Sequence, residues 1–262
     1  MSRASSLARK VLPAGLFKRA RTLKGTFLAS RHAGARLYCP ICDSSFDKFL
    51  SAGDPGRERD DVRCPRCDSL ERHRLLWVFL QRETKFFSRP LRVLHFAPER
   101  CFEERISKLQ NIHYVTADLD PSLVMMGIDI TAIPFPDSSF DVILCSHVLE
   151  HVPDDFLAMR ELHRVITRSG MAIIMVPTVG DITVEGSIGD TAAYRRQHFG
   201  QTDHLRLYGS DIRRRLEESG FEVDVVNYAD HLEVDLVRRA RLVMEHSWYD
   251  TCEPIFISTR TT

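Results

Sequence analysis

Four of the seven cysteines form two identical knuckles, Cys39-Pro-Ile-Cys42 and Cys64-Pro-Arg-Cys67, with 21 residues between them. A CxxC turn lets two thiolates converge on one ion, and two such turns complete a tetrahedral, closed zinc site that stabilises without catalysing. Either knuckle by itself could be a redox motif; two of one kind at this spacing favour a structural zinc ribbon. A second group of residues could move protons. Ser146, His147, Glu150 and His151 follow one apolar run, and Asp203, His204, Arg206 and Tyr208 close a long polar segment. A carboxylate beside an imidazole raises its basicity, so Asp203 with His204, and separately His147, are candidates for a general base. Asp118 and Asp129 each follow or precede a short apolar run and can accept hydrogen bonds from hydroxyls or an amine.

These residues need a frame. Leu91–Phe96, Ile112–Ala117 and Phe140–Cys145 are apolar runs rich in β-branched residues, the pattern of strands buried on both faces. Helix-permissive stretches, Glu99–Leu109 and Asp154–Arg168, separate them from one another and from a run at Met171–Val176, before which Gly170 is expected to stop the helix. Strand and helix in alternation give a doubly wound α/β sheet. Ser69–Thr84 reads as a helix with Leu70, Leu75, Leu76, Phe79 and Leu80 on one face, docking the cysteine module on the sheet domain. Its Glu71-Arg72-His73-Arg74 cluster is expected on a solvated or salt-bridged face, with substrate contact as the other reading. Thr178–Leu207 shows no clear period and is expected to be a lid or binding loop. Tyr208–Ser219 is expected as a helix, and Phe221–Val226 and Pro254–Ser258 as closing antiparallel strands.

The segment IDITAIPFPDSSFDVILCSHVLEHV, Ile128 to Val152, resembles the PFPDxSFD…LEHV signature of class I S-adenosylmethionine-dependent methyltransferases. The resemblance covers Leu91 to Pro177 and implies a seven-stranded Rossmann-like sheet, mostly parallel with an antiparallel last strand. It places the cofactor beyond the carboxyl ends of the strands. It puts Asp118, with Leu119, at the ribose (Asp120 being the less favoured alternative), Asp129 and Ile130 at the adenine, and Ser146 among the cofactor contacts. The first loop, His95-Phe96-Ala97-Pro98-Glu99, departs from the family's acidic, glycine-rich turn, because Ala97 is its only small residue. An HFAPE loop beside a cysteine-rich front end is similar to a subset of the family. There Phe96 and Ala97 would approach the cofactor and Glu99 would bind its ammonium, unless Glu99 merely opens the next helix, where an acid complements the dipole. His151 belongs to the shared LEHV motif and is expected to be structural.

The expected organisation is a basic arm (1–37), a zinc ribbon (38–68), a linking helix (69–90) and a methyltransferase domain (91–262) with a lid at 178–207. The arm carries nine Arg or Lys and no acid, so the remainder of this neutral chain is acidic. Leu7, Val11, Leu16, Ala20, Leu23 and Phe27 suggest an amphipathic helix interrupted near Pro13 and Gly15. An anionic membrane, an RNA backbone, a transit peptide and a solubilising tail all fit this composition. No apolar run approaches the ~20 residues of a membrane span, and no secretory signal is evident. Cys101, Cys145 and Cys252 form no framework, which points to a reducing, cytoplasmic location, with peripheral membrane contact through the arm.

The expected reaction is methyl transfer from S-adenosylmethionine to a small or lipid-linked acceptor such as a sugar or isoprenoid. An RNA methyltransferase is the alternative, although aromatics do not interleave with the charges as stacking platforms would. A non-catalytic, zinc-dependent adaptor with a methyltransferase-like fold is the second.

Overall fold

The structure is a computed structural model describing residues 14–53, 58–122, 124–187, 189–243 and 253–260. Leu7, Val11, Pro13 and Cys252 lie outside the described residues. Helix α1 (Ala14–Arg31) runs through Gly15 unbroken, contrary to the interruption expected there. Gly25 is buried against the second knuckle, where an added Cβ would sit 2.6 Å from the Arg66 carbonyl, whereas Leu23 and Phe27 face solvent. Close backbone approach at Gly25, and not an apolar stripe, therefore seats this helix.

Two hairpins carry the knuckles. Strand β1 (Ala33–Cys39) pairs with β2 (Ser44–Phe46), and β3 (Leu50–Ala52) with β4 (Arg59–Arg63), both antiparallel. Each knuckle is followed by an aspartate in the left-handed region, Asp43 (φ 50°) and Asp68 (φ 63°), a conformation that aspartate tolerates better than most residues. Helix α2 (Glu71–Glu83) then leads into the sheet domain.

The main sheet is assembled from β5 (Leu91–Phe96), β6 (Ile112–Asp118), β7 (Met126–Gly127), β8 (Phe140–Ser146), β9 (Ile166–Met175), β12 (Phe221–Val226) and β13 (Ile255–Arg260). Its order is β12-β13-β9-β8-β5-β6-β7, and β13 runs antiparallel to both neighbours while β5 to β9 are parallel. This is the expected seven-stranded, Rossmann-like sheet, mostly parallel with an antiparallel last strand. Side-chain alternation divides its interior between two cores. Val93, Val142, Leu144 and Ile173 pack on one face with α2 and with α3 (Arg100–Ile106). Leu94, Ile143, Cys145 and Ile174 pack on the other with α4 (Asp155–Val165) and a later helix over Ile212–Glu218. The first core is continuous from the cysteine module to β13.

Two boundaries differ from the sequence pattern. Helix α4 ends at Val165 and β9 begins at Ile166, so Gly170 lies within the strand. A Cβ there would stand 2.8 Å from the Asp141 carbonyl, so glycine lets the strand pass its neighbour. The segment 178–207 is not irregular: β10 (Val184–Glu185) pairs with β11 (Arg206–Leu207), and α5 (Ala192–Phe199) is capped by the Thr191 hydroxyl. Helices α6 (Ile212–Glu218) and α7 (Val234–Ala240) complete the chain. No described helix is long and apolar enough to cross a membrane.

The polar cluster on α2 is not a solvated face. Glu71 is buried and pairs with Arg59 at 2.6 Å, and Arg74 is 0% exposed. Arg74 donates to the Val62 and Ser69 carbonyls through Nη1 (2.9 and 2.7 Å), to Ala240 through Nε (2.6 Å) and to Arg241 through Nη2 (2.9 Å). It thereby joins the cysteine module, α2 and the end of α7. Replacing Arg74 with alanine leaves four buried acceptors without this donor and is expected to cost about 3–5 kcal/mol in urea unfolding. Lysine should not rescue it, because one ammonium cannot span acceptors arranged around a planar fork; a loss below about 1 kcal/mol would contradict this role.

Candidate active site

The strands β5, β6 and β8 end on one edge, and each delivers polar residues there. After β5, Phe96 is buried and Ala97 turns the chain with φ 46°, its N–H donating to the Ala117 carbonyl at 2.8 Å. This turn places Glu99 at the N-cap of α3, yet its carboxylate makes no cap hydrogen bond. Two imidazoles receive it instead. His95 Nε2 lies 3.1 Å from Oε2 and His73 Nε2 lies 3.5 Å from Oε1, with the carboxylate still 16% exposed.

The tautomers follow from the remaining contacts. The Leu70 N–H donates to His73 Nδ1 at 3.1 Å, so the His73 proton resides on Nε2 and faces Glu99. His95 Nδ1 stands 2.8 Å from the Tyr114 hydroxyl; with that hydroxyl donating, Nε2–H of His95 also faces Glu99. Burial, assisted by Arg72, pushes the His73 pKa down to about 3, so a neutral ring and not an imidazolium meets the carboxylate. Burial opposes ionisation of Glu99, but the two histidines and Arg72 outweigh it and hold its carboxyl well below the usual range. Glu99 is thus an oriented anion at the mouth of the first loop.

Asp118 ends β6, and one of its oxygens accepts the Asp120 N–H at 3.0 Å. Leu119 beside it is 75% exposed. Asp129 is exposed, and one oxygen accepts both the N–H and the hydroxyl of Thr131 at 2.8 and 2.7 Å, while Ile130 is buried. Among the described residues, neither aspartate uses its second oxygen for a hydrogen bond, which leaves one acceptor on each for a ligand. The backbone holds the two together, since the Ile128 N–H donates to the Asp118 carbonyl at 2.9 Å.

Ser146 ends β8, with its buried hydroxyl unpartnered among the described residues. His147 follows in the left-handed region (φ 55°) and lies between two buried acids. Nε2 lies 2.9 Å from Glu253 and Nδ1 lies 3.4 Å from Glu150. Burial opposes ionisation of Glu253, but His147, Arg72 and His73 prevail and lower its pKa to about 2.

The expected Asp203–His204 pair does not form. The Asp203 carboxylate lies 3.5 Å from His151 Nδ1 instead, and His204 is turned inward, with Nδ1 2.7 Å from the Phe199 carbonyl. Neighbouring side chains diverge here, because Leu205 N–H is drawn to the Glu150 carbonyl at 2.8 Å and the chain enters β11. Burial lowers the His204 pKa. Arg206, buried, donates to the Leu149, Val152 and Pro153 carbonyls, and so bolts the segment 178–207 to the turn after β8. Tyr208 donates to buried Asp155 at 2.7 Å.

In the cysteine module, Sγ of Cys39 is 3.6 Å from that of Cys67, and Cys42 is 3.7 Å from Cys64. All four sulfurs lie within 4.8 Å of one another. A Zn–S bond of about 2.3 Å implies tetrahedral edges of about 3.8 Å, so the spacing fits a four-thiolate zinc ribbon and excludes disulfides. The Ser69 hydroxyl lies 3.3 Å from Cys39, 3.2 Å from Cys67 and 3.5 Å from Arg74 Nη1. A buried cation one hydroxyl away suits an anionic metal–thiolate cluster.

Tyr114 and Glu253 were not singled out by the sequence. His73, His95 and Arg206 carried local signals, in the ERHR cluster, at the head of HFAPE and in the DHLRLY run, but no site role was assigned to them.

Residues 100–174 match the family model described as a methyltransferase domain. The match starts one residue after Glu99, leaving out β5 and its unusual loop. No curated protein matches the chain. Among solved structures, a Burkholderia thailandensis 1,6-didemethyltoxoflavin-N1-methyltransferase with bound S-adenosylhomocysteine is 12% identical, covering 73% of this chain and 79% of that one (TM-score 0.46). An S-adenosylmethionine-dependent methyltransferase from Archaeoglobus fulgidus is 14% identical over 71% and 93% (0.48), and the YcgJ protein from Bacillus subtilis 14% over 72% and 100% (0.45). The family model thus covers the part of the sheet domain from the start of α3 to the penultimate residue of β9.

Glu253 ties stability to pH in a calculable direction. Its carboxyl is depressed from 4.5 to about 2 in the folded state, so the stabilisation is complete above about pH 4.5 and lost as pH falls through 2. Between pH 5 and 2 the native chain should lose about 3 kcal/mol more than Glu253→Gln in urea unfolding, and parallel profiles would refute the depressed carboxyl.

Proposed function

We propose that this methyltransferase domain binds S-adenosylmethionine along the edge formed by β5, β6 and β8 and transfers its methyl group to a small or lipid-linked acceptor. One observation carries the reading: three carboxylates, Glu99, Asp118 and Asp129, lie beyond successive parallel strands of a methyltransferase sheet. The donor groups of the cofactor occur in the same sequence, an ammonium, two ribose hydroxyls and an adenine amine. Each acid has an acceptor oxygen to offer, and the exposed Leu119 would cover one face of the nucleoside. When bound, the cofactor supplies the electrophilic methyl carbon.

The chain's own work is then positioning. Phe96 and Ala97 bring the loop backbone near the methionine portion, and His73 and His95 hold Glu99 in one orientation for the ammonium. The buried anions Glu99 and Glu253 make the pocket electronegative, which favours a cofactor carrying a sulfonium. Ser146 would line the cofactor beside them. His147, between Glu150 and Glu253, is the imidazole proposed to face an acceptor. Asp203 is assigned to holding His151 and not to catalysis. Zinc in the four-cysteine site would stabilise the ribbon, which is too short to bury a sufficient core by itself. A closed cysteine shell supplies no coordination site to a substrate.

Calorimetric titration with S-adenosylhomocysteine should reveal one site per chain. Asp118→Ala should weaken it about tenfold or more, the worth of a charge-assisted hydrogen bond. Absence of binding at millimolar ligand would overturn the reading. Metal analysis of the purified chain should give one zinc, lost together with the native fold of the module in the Cys64→Ser variant; a folded zinc-free chain would remove the ribbon assignment.

A further inference from the structure

Glu150, His151 and His204 bring a carboxylate oxygen and two imidazole nitrogens within 4.8 Å of one another. We infer that they form a second metal site, for a divalent cation, beside the cofactor edge and distinct from the four-cysteine module.

The carboxylate is the first reason. Glu150 is 1% exposed, and among the described residues neither oxygen has a hydrogen-bond partner. The nearest imidazole, His147 Nδ1 at 3.4 Å, does not meet hydrogen-bond geometry. A buried carboxyl without hydrogen-bond partners is costly, and a bound cation removes that cost.

The imidazoles are the second reason. His204 Nδ1 faces the Phe199 carbonyl at 2.7 Å and must donate to it, so the lone pair lies on Nε2, which is buried and unpartnered among the described residues. His151 Nδ1 faces the Asp203 carbonyl at 3.3 Å, with the Asp203 carboxylate 3.5 Å away, which puts its proton on Nδ1. Histidines that bind metal through one nitrogen are held in this way through the other, by a backbone carbonyl or a carboxylate. The fold has therefore fixed both tautomers with a lone pair available. The frame is rigid as well: the Leu205 N–H to Glu150 carbonyl bond joins the two segments, and Arg206 locks the turn.

Two histidines and one carboxylate leave coordination positions open, unlike the cysteine site. If the chain transfers methyl groups as proposed above, an acceptor hydroxyl fits such a position. The cation would lower the hydroxyl pKa. The proton leaves to water, the oxygen pair forms the O–C bond, and the C–S pair returns to sulfur, giving the methyl ether and the thioether. The acceptor class is thus a hydroxyl compound. Cation binding itself does not depend on that reading.

The test uses zinc-loaded full-length chain without cofactor and Mn²⁺ as the probe, since a thiolate cage already holding zinc is a poor host for that harder ion. Electron paramagnetic resonance titration should show one bound Mn²⁺ per chain, weakened at least about tenfold in Glu150→Gln and His204→Ala. In the unsubstituted chain, Mn²⁺ should broaden the imidazole signals of His151 and His204 and spare exposed His113, which needs no variant. No binding at millimolar Mn²⁺, broadening elsewhere, or equal affinity in zinc-replete Glu150→Gln would overturn the site. Loss of S-adenosylhomocysteine binding would count against the methyltransferase reading and leave this one standing.

Discussion

A full positive charge with no solvent exposure organises this molecule. Arg74 has no carboxylate hydrogen-bond or ion-pair partner among the described residues; its guanidinium is held by four carbonyls from β4, the second knuckle and the end of α7, and stacks 4.7 Å over Phe49. Such a group admits one arrangement of its neighbours, because a displaced carbonyl leaves a buried donor empty. It therefore fixes the rotation of α2. His73, the preceding residue, is then aimed at Glu99. The orientation of a cysteine module and that of the Glu99 carboxylate are two results of one constraint, transmitted through a single turn of helix.

The same logic explains how the first loop works without glycines. A glycine-rich turn brings backbone to a ligand by lacking side chains. Here Ala97 accepts a left-handed conformation, and the work of orienting the acid passes to side chains, with Tyr114, His95 and His73 fixing the protons around Glu99. His95 Nε2 stands 3.1 Å and His73 Nε2 3.5 Å from the carboxylate, and together they favour the ionised form of Glu99. The match to the methyltransferase family begins just past this loop.

Much of this was legible in the sequence, for physical reasons that also mark the limit. Strands buried on both faces declare themselves as bounded apolar runs, so Leu91–Phe96 and Phe221–Val226 were read to the residue. The knuckles were legible because each CxxC turn pairs two cysteines within four residues. Glycine misled at 170, where the pattern suggested a helix stop and the sheet required room beside Asp141. Segment 178–207 lacked a period because its pieces are two-residue strands and one short helix held by long-range bonds. Pairings across the chain left no local trace: His147 with Glu253 is 106 residues apart, and His151 took the aspartate expected for His204.

The central claim is that three strand-end carboxylates bind one cofactor molecule, with Glu99 presented beside His73 and His95. A crystal structure of the chain with S-adenosylhomocysteine tests it most directly. The account predicts the ribose hydroxyls on Asp118, the adenine amine at Asp129 and the ammonium within hydrogen-bond reach of Glu99, with His73 and His95 unmoved. A ligand seated elsewhere, or an ammonium held without Glu99, would contradict it.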